Sequence, residues 1–169
     1  MFRPGVGFMT LLVAACGWVA ASIADEAAEK KIEIKSATVA ELDKHVAALK
    51  GKPVAMDVWA TWCVPCREKF PKFVALAGKH KDKARFFSLS IDEAEQLDDA
   101  KKFLEKSKAT FANFLAKDGA EAVEKKFKFE GVPQYVVWDA AGKIVLRTND
   151  IAKFEEKLKE LLADKKGDA

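Results

Sequence analysis

Apolar positions along this chain form one long block and then short groups whose spacing switches between strand-like and helix-like periods. Val6–Ala21 is almost wholly apolar, whereas Asp25–Lys31 is charged and aperiodic. Ile32 and Ile34 then alternate with charged neighbours, as in a short strand. Val39, Leu42, Val46 and Leu49 recur at helical spacing. Thr38 and Glu41 make a capping box before them, and Gly51 with Pro53 ends the helix. Val54–Ala60 is a near-continuous apolar run, which predicts a central strand buried on both faces.

From Cys63 to about Gly78 the pattern is again helical, with Phe70, Phe73, Val74 and Ala77 on one face and Pro71 expected to kink it. Arg85–Ile91 reads as a strand, Glu93–Lys108 as a charged helix carrying Leu97, Phe103 and Leu104, Phe111–Ala116 as a short apolar run, and Ala120–Phe127 as a helix. After Gly131-Val132-Pro133, the segments Gln134–Asp139 and Lys143–Arg147 flank a turn at Ala140-Ala141-Gly142, which makes them an antiparallel hairpin. Ile151, Phe154, Leu158, Leu161 and Leu162 mark a closing amphipathic helix. The pattern reduces to β-α-β-α-β-α-β-β-α, an α/β fold with a mixed sheet and helices on both faces.

Length fits one domain: 169 residues, half of them apolar, are enough to bury a core. The first 24 residues stand apart from it. Arg3, the apolar run and the small residues Ser22-Ile23-Ala24 before Asp25 have the layout of a secretory signal peptide cleaved after Ala24. A retained anchor is the alternative, but Gly7, Thr10, Gly17 and Ser22 interrupt a run that barely reaches spanning length. Val13-Ala14-Ala15-Cys16 also resembles a bacterial lipoprotein box, in which Cys16 would be lipidated; Gly17–Ala24 stays hydrophobic where such a sequence turns polar. The expected organisation is therefore a signal peptide (1–24), a charged leader (25–31), a domain (32–163) and a frayed tail (164–169), in an exported, periplasmic or extracytoplasmic protein.

Charge removes one class of partner. Losing residues 1–24 takes away only Arg3 and leaves 28 basic against 26 acidic residues. The signs are interleaved even in the Lys-rich stretches Lys79–Arg85 and Lys125–Lys128, as on solvated helix faces, so nucleic acid is not expected as a partner.

Only Cys63 and Cys66 survive the expected processing. They close a loop too small to remove much chain entropy, so chemistry explains them better than stability does. Trp62-Cys63-Val64-Pro65-Cys66 lies between a buried strand and a helix. Cys63 at the helix N-terminus would meet unpaired N–H groups and the helix dipole, which depress a thiol's pKa and favour an exposed attacking thiolate. Cys66, one turn further in, would be the more buried resolving thiol. Zinc needs four ligands, and the remaining candidates, His45 and His80, lie in charged surroundings and read as solvated, so no metal is expected.

Asp57-Val58-Trp59-Ala60-Thr61-Trp62-Cys63-Val64-Pro65-Cys66 and Gly131-Val132-Pro133 resemble the two signatures of the thioredoxin superfamily, over almost all of Ile32–Ala163. Pro71 falls where thioredoxins kink the active-site helix, and Val132-Pro133 where they place a cis-proline. That resemblance implies a backbone kept open there for an extended substrate, with main-chain groups offered by Val132. Within the superfamily the chain is most similar to the TlpA/ResA-like exported branch, because residues 92–116 resemble the helix-plus-strand insertion of that branch. The same resemblance implies protein disulfides as substrates, a membrane electron donor, and no cofactor beyond the redox-active Cys63–Cys66 disulfide.

Two positions depart from the branch. Lys69 stands where many members have Glu, with Glu68 one place earlier, and Asp57 stands where the branch often has Asn and thioredoxin keeps a buried carboxylate. A strand-edge Asp57 would reach solvent; a desolvated one would have a raised pKa and relay the proton of Cys66. Thioredoxin's neighbouring Lys is matched here by Ser88. Trp62 is expected to shield the site rim, and Trp59, Tyr135 and Trp138 to pack. The expected chemistry is dithiol–disulfide exchange. Nothing basic inside the motif stabilises the thiolate strongly, which favours reductase over oxidase. The alternative from another class is an exported Cu(I)-binding protein using the same two thiolates.

Overall fold

A computed structural model describes residues 32–163, so the expected signal peptide, Cys16, charged leader and tail lie outside the described residues. In chain order the elements are β1 (Ile34–Ala37), α1 (Val39–Ala48), β2 (Val54–Trp59), α2 (Val64–His80), β3 (Arg85–Ser90), a 3-10 turn (Ala94–Gln96), α3 (Leu97–Lys106), β4 (Ala112–Ala116), α4 (Gly119–Phe127), β5 (Gln134–Trp138), β6 (Ile144–Thr148) and α5 (Ile151–Ala163).

The sheet runs β1-β4-β3-β2-β5-β6. β1, β4, β3 and β2 are mutually parallel, and β5 and β6 run antiparallel to them. β4, in the segment read as an insertion, is wedged between β1 and β3 and so belongs to the sheet itself. This is the mixed sheet of a thioredoxin fold.

Strand alternation sorts the core into two clusters. Val54, Met56 and Val58 pair with Trp138, Val136 and Gln134, and most of that face packs with Leu42 and Val46 of α1 and Val123 and Phe127 of α4. Ala55 pairs with Val137 on the other face, where Phe73 and Leu76 of α2 and Phe154 and Leu158 of α5 cover it. Phe103 of α3 lies against Trp59 and Phe70, with ring centroids at 4.8 and 5.2 Å, which ties α3 to β2 and α2.

Local chemistry sets several boundaries. The capping box at α1 is formed: the Glu41 N–H donates to the Thr38 hydroxyl at 3.2 Å, and the Thr38 N–H donates to the Glu41 carboxylate at 2.8 Å. Replacing Thr38 by Ala is expected to cost about 1 kcal/mol, read as a lower denaturant midpoint with unchanged slope. α2 continues through Pro71, which forfeits one backbone hydrogen bond there. The helix expected over Glu93–Lys108 is shorter, because it opens in a 3-10 turn and ends before Lys108, which is left-handed at φ 55°. The first strand sits two residues later than its hydrophobic alternation suggested, since Ile34–Ala37 is the stretch in register with Asn113–Ala116. In the β5–β6 turn, Gly142 adopts φ +85°, and a Cβ there would meet the Lys50 side chain at 2.9 Å.

Candidate active site

β2 ends at Trp59, a turn follows, and Cys63 becomes the residue that caps α2. The turn is closed by the Cys63 N–H donating to the Ala60 carbonyl at 3.2 Å. Cys63 and Cys66 form a disulfide across one helical turn, with Cα atoms 5.3 Å apart. The Cys66 N–H donates to Cys63 Sγ at 3.2 Å, so the sulfur occupies the place of a capping oxygen at the helix N-terminus. Pro65 fits the first turn, where its missing N–H has no helical partner to lose.

Exposure around the pair is uneven. Trp62 is 58 % exposed and Val64 is also exposed, and both flank Cys63 on the surface. Cys63 itself is only 5 % exposed and Cys66 2 %. The expectation of an exposed Cys63 is therefore corrected for the oxidised form, in which bonding to Cys66 and capping the helix draw its sulfur inward. Cys66 is the more buried of the two.

Val132 and Pro133 reach the same end of the sheet. Gln134 pairs with Val58, which places Pro133 opposite the end of β2 that leads to Cys63. The Val132–Pro133 peptide is cis, Val132 is half-buried and Pro133 buried.

Asp57 lies under α2, on the sheet face of Ala55, and is 1 % exposed. It does not reach solvent at a strand edge. Its neighbours in register are Ser88 on β3 and Tyr135 on β5. Burial drives its carboxyl well above the ordinary carboxylate range, and Oδ1 has no hydrogen-bond partner within the protein. Ser88 gives its hydroxyl to Asn113 Oδ1 at 2.8 Å instead. Burial, reinforced by Asp57 and Asp150, pushes the Tyr135 hydroxyl upward in turn. Trp59, Tyr135 and Trp138 are core residues.

The two histidines are not solvated as expected. His45 is half-buried, its ring edge-on to Phe87 and Phe114 at 5.2 and 4.9 Å, and burial lowers its pKa. His80, at the end of α2, is lowered by burial and then by Lys79 and Lys83. Among the described residues no group of three or more metal-binding side chains comes together, and the Cu(I) reading finds no support.

Sequence reasoning missed Asn113, which lies beside Ser88 in the same polar row, and Asp92, whose buried carboxylate bonds to Thr61 two residues before Cys63. A charged residue directly after the strand expected over Arg85–Ile91 was the available signal for Asp92.

A model of the family described as Redoxin matches residues 25–163. The chain belongs to this family. Among curated proteins this redoxin is similar to the thioredoxin-like protein YneN of Bacillus subtilis, 32 % identical over 74 residues, covering 43 % of this chain and 44 % of that protein. It is also similar to the thiol-disulfide oxidoreductase ResA of Bacillus cereus, 37 % identical over 67 residues, covering 39 % of this chain and 32 % of that protein. The matched stretch thus spans less than half the length of these relatives. A crystal structure of a thiol:disulfide interchange protein of the thioredoxin family from Chlorobium tepidum superposes with a TM-score of 0.59 at 25 % identity, over 69 % of this redoxin and 83 % of that chain. The TlpA/ResA-like resemblance and the thioredoxin fold agree with these matches.

Proposed function

We propose that this redoxin is a thiol–disulfide oxidoreductase that reduces protein disulfides outside the cytoplasm through Cys63 and Cys66. The observation that carries the reading is the Cys63–Cys66 disulfide at the N-terminus of α2, with the Cys66 N–H already directed at Cys63 Sγ. That N–H and the helix dipole favour Cys63 as the thiolate once the pair is reduced.

In the reduced protein, Cys63 thiolate attacks one sulfur of a substrate disulfide, forming the mixed disulfide and expelling the other substrate sulfur as a thiolate. Cys66 gives up its proton to Asp57 on the sheet face beneath α2, which accepts it in the carboxylate form that burial makes more basic, and the Cys66 thiolate attacks Cys63 Sγ. The second substrate thiolate leaves and the Cys63–Cys66 bond forms, so two electrons pass from the pair to the substrate. A membrane electron donor returns them in the next cycle. Trp62, Val64 and Pro65 on one side and Val132 with Pro133 on the other bound the surface against which an extended substrate lies. The apolar N-terminal block supports export; among the described residues no helix is long and apolar enough to cross a membrane.

Direction of electron flow is read from the reduction potential. Equilibration with glutathione, followed by tryptophan fluorescence as the disulfide opens beside Trp62, is expected to give a value near that of thioredoxin, about −270 mV. A value near about −120 mV would make the protein an oxidant, and absence of a reversible transition would rule out exchange.

A further inference from the structure

Asp92 lies two residues beyond the end of β3 and is 3 % exposed, yet its carboxylate is met by hydrogen-bond donors from two strand ends. Oδ1 accepts from the Thr61 N–H at 2.9 Å and the Thr61 hydroxyl at 2.7 Å. Oδ2 accepts from the same N–H at 3.0 Å and from the Ser90 hydroxyl at 2.6 Å, while Ser90 Oγ accepts the Asp92 N–H at 3.0 Å. A buried carboxylate demands such donors, so the bonds and the burial imply each other.

What the carboxylate holds is the turn that delivers Cys63. Thr61 and exposed Trp62 are its two central residues, and its own closing bond, Cys63 N–H to Ala60 carbonyl, is 3.2 Å long. In the oxidised protein the Cys63–Cys66 bond also fixes Cys63 to the first turn of α2. Reduction removes that restraint and leaves hydrogen bonds alone. We propose that Asp92 is a positioning residue for dithiol exchange, gripping Thr61 so that reduced Cys63 stays at the N-terminus of α2. The inference rests on the exchange reading above. A turn that loosens lets the Cys63 sulfur leave the N–H groups and the dipole that favour its thiolate.

The mechanism predicts a sign opposite to that of simple charge. As a nearby anion, Asp92 disfavours a thiolate, so its neutralisation should lower the Cys63 pKa. As a clamp, its loss should raise it. Arg67 on α2 and Asp99 on α3 line a hollow with Thr61 and Trp62, and the titratable Asp57 lies on β2; all are untouched by the variants below.

The test measures the rate at which the reduced full chain, in a Cys16→Ser background, reacts with 5,5′-dithiobis(2-nitrobenzoate) as a function of pH. Asp92→Asn and Thr61→Val are expected to raise the apparent thiol pKa and slow the neutral-pH reaction about tenfold, with Thr61→Ser within about twofold of the parent, the scale of a hydrogen bond to a charged group. Folding is checked by circular dichroism, and if Asp92→Asn does not fold, Thr61→Val decides. An unchanged or lowered pKa in a folded Thr61→Val protein overturns the clamp. A parent protein that shows no reversible disulfide overturns the exchange reading instead, before any variant is compared.

Discussion

Replacing Cys63 by Ser is expected to lower disulfide-exchange activity by more than about a thousandfold, the scale of removing a nucleophile. Replacing Cys66 by Ser leaves the first attack intact and removes the thiol that resolves it. The two variants should therefore differ in kind. Cys63→Ser accumulates nothing, whereas Cys66→Ser accumulates a mixed disulfide visible as a reductant-sensitive band on a non-reducing gel. The reason lies in the geometry: Cys63 caps α2 and is the less buried sulfur, while Cys66 lies inside the first turn. If Cys66→Ser trapped nothing and Cys63→Ser trapped substrate, the roles would be reversed. Equal activity in both would remove the pair from the function.

The second large effect is on stability. Asp57→Asn should stabilise the protein at neutral pH, by an amount that grows with pH. The folded-state carboxyl is raised well above 3.8 by burial, so between the unfolded and the folded value the native protein holds a proton that the unfolded chain has released. Its contribution is complete below the unfolded pKa and is lost as pH rises toward the folded one, at about 1.4 kcal/mol per pH unit. Asn fills nearly the same volume without that titration. Denaturant unfolding of both proteins across this window should show curves that diverge with increasing pH; parallel curves would mean that Asp57 is not a desolvated acid. In the proposed exchange the same variant lacks the proton acceptor for Cys66, so the mixed disulfide should persist longer even though the fold is more stable.

Much of the architecture was legible because its causes are local. The capping box at Thr38, the strand–turn–helix context of Cys63 and the hairpin around Gly142 each depend on residues a few positions apart. The match of Ser88 to Asp57 also held in the strand register, although Ser88 turned out to bond Asn113. Where the reading failed, the cause was a contact made by distant segments. His45 sits in a charged stretch of helix, but Phe87 and Phe114 come from two strands to cover it. Cys63 was expected to be exposed because its neighbours in sequence are, and the disulfide with its helix cap draws it in.

By itself the sequence determined which two thiols form the pair and where they stand in the fold. Two thiols with two residues between them, between a buried strand and a helix, place one sulfur at the helix N-terminus, where backbone N–H groups have no helical partner. It also determined that Asp57 would fall within an apolar strand. Only the tertiary structure decided what surrounds them. Which face of β2 lies beneath α2, that Tyr135 and Ser88 flank Asp57, and that Asp92 reaches from beyond the end of β3 to hold Thr61 all follow from sheet register. Register is fixed by the packing of both faces at once, and no local spacing encodes it.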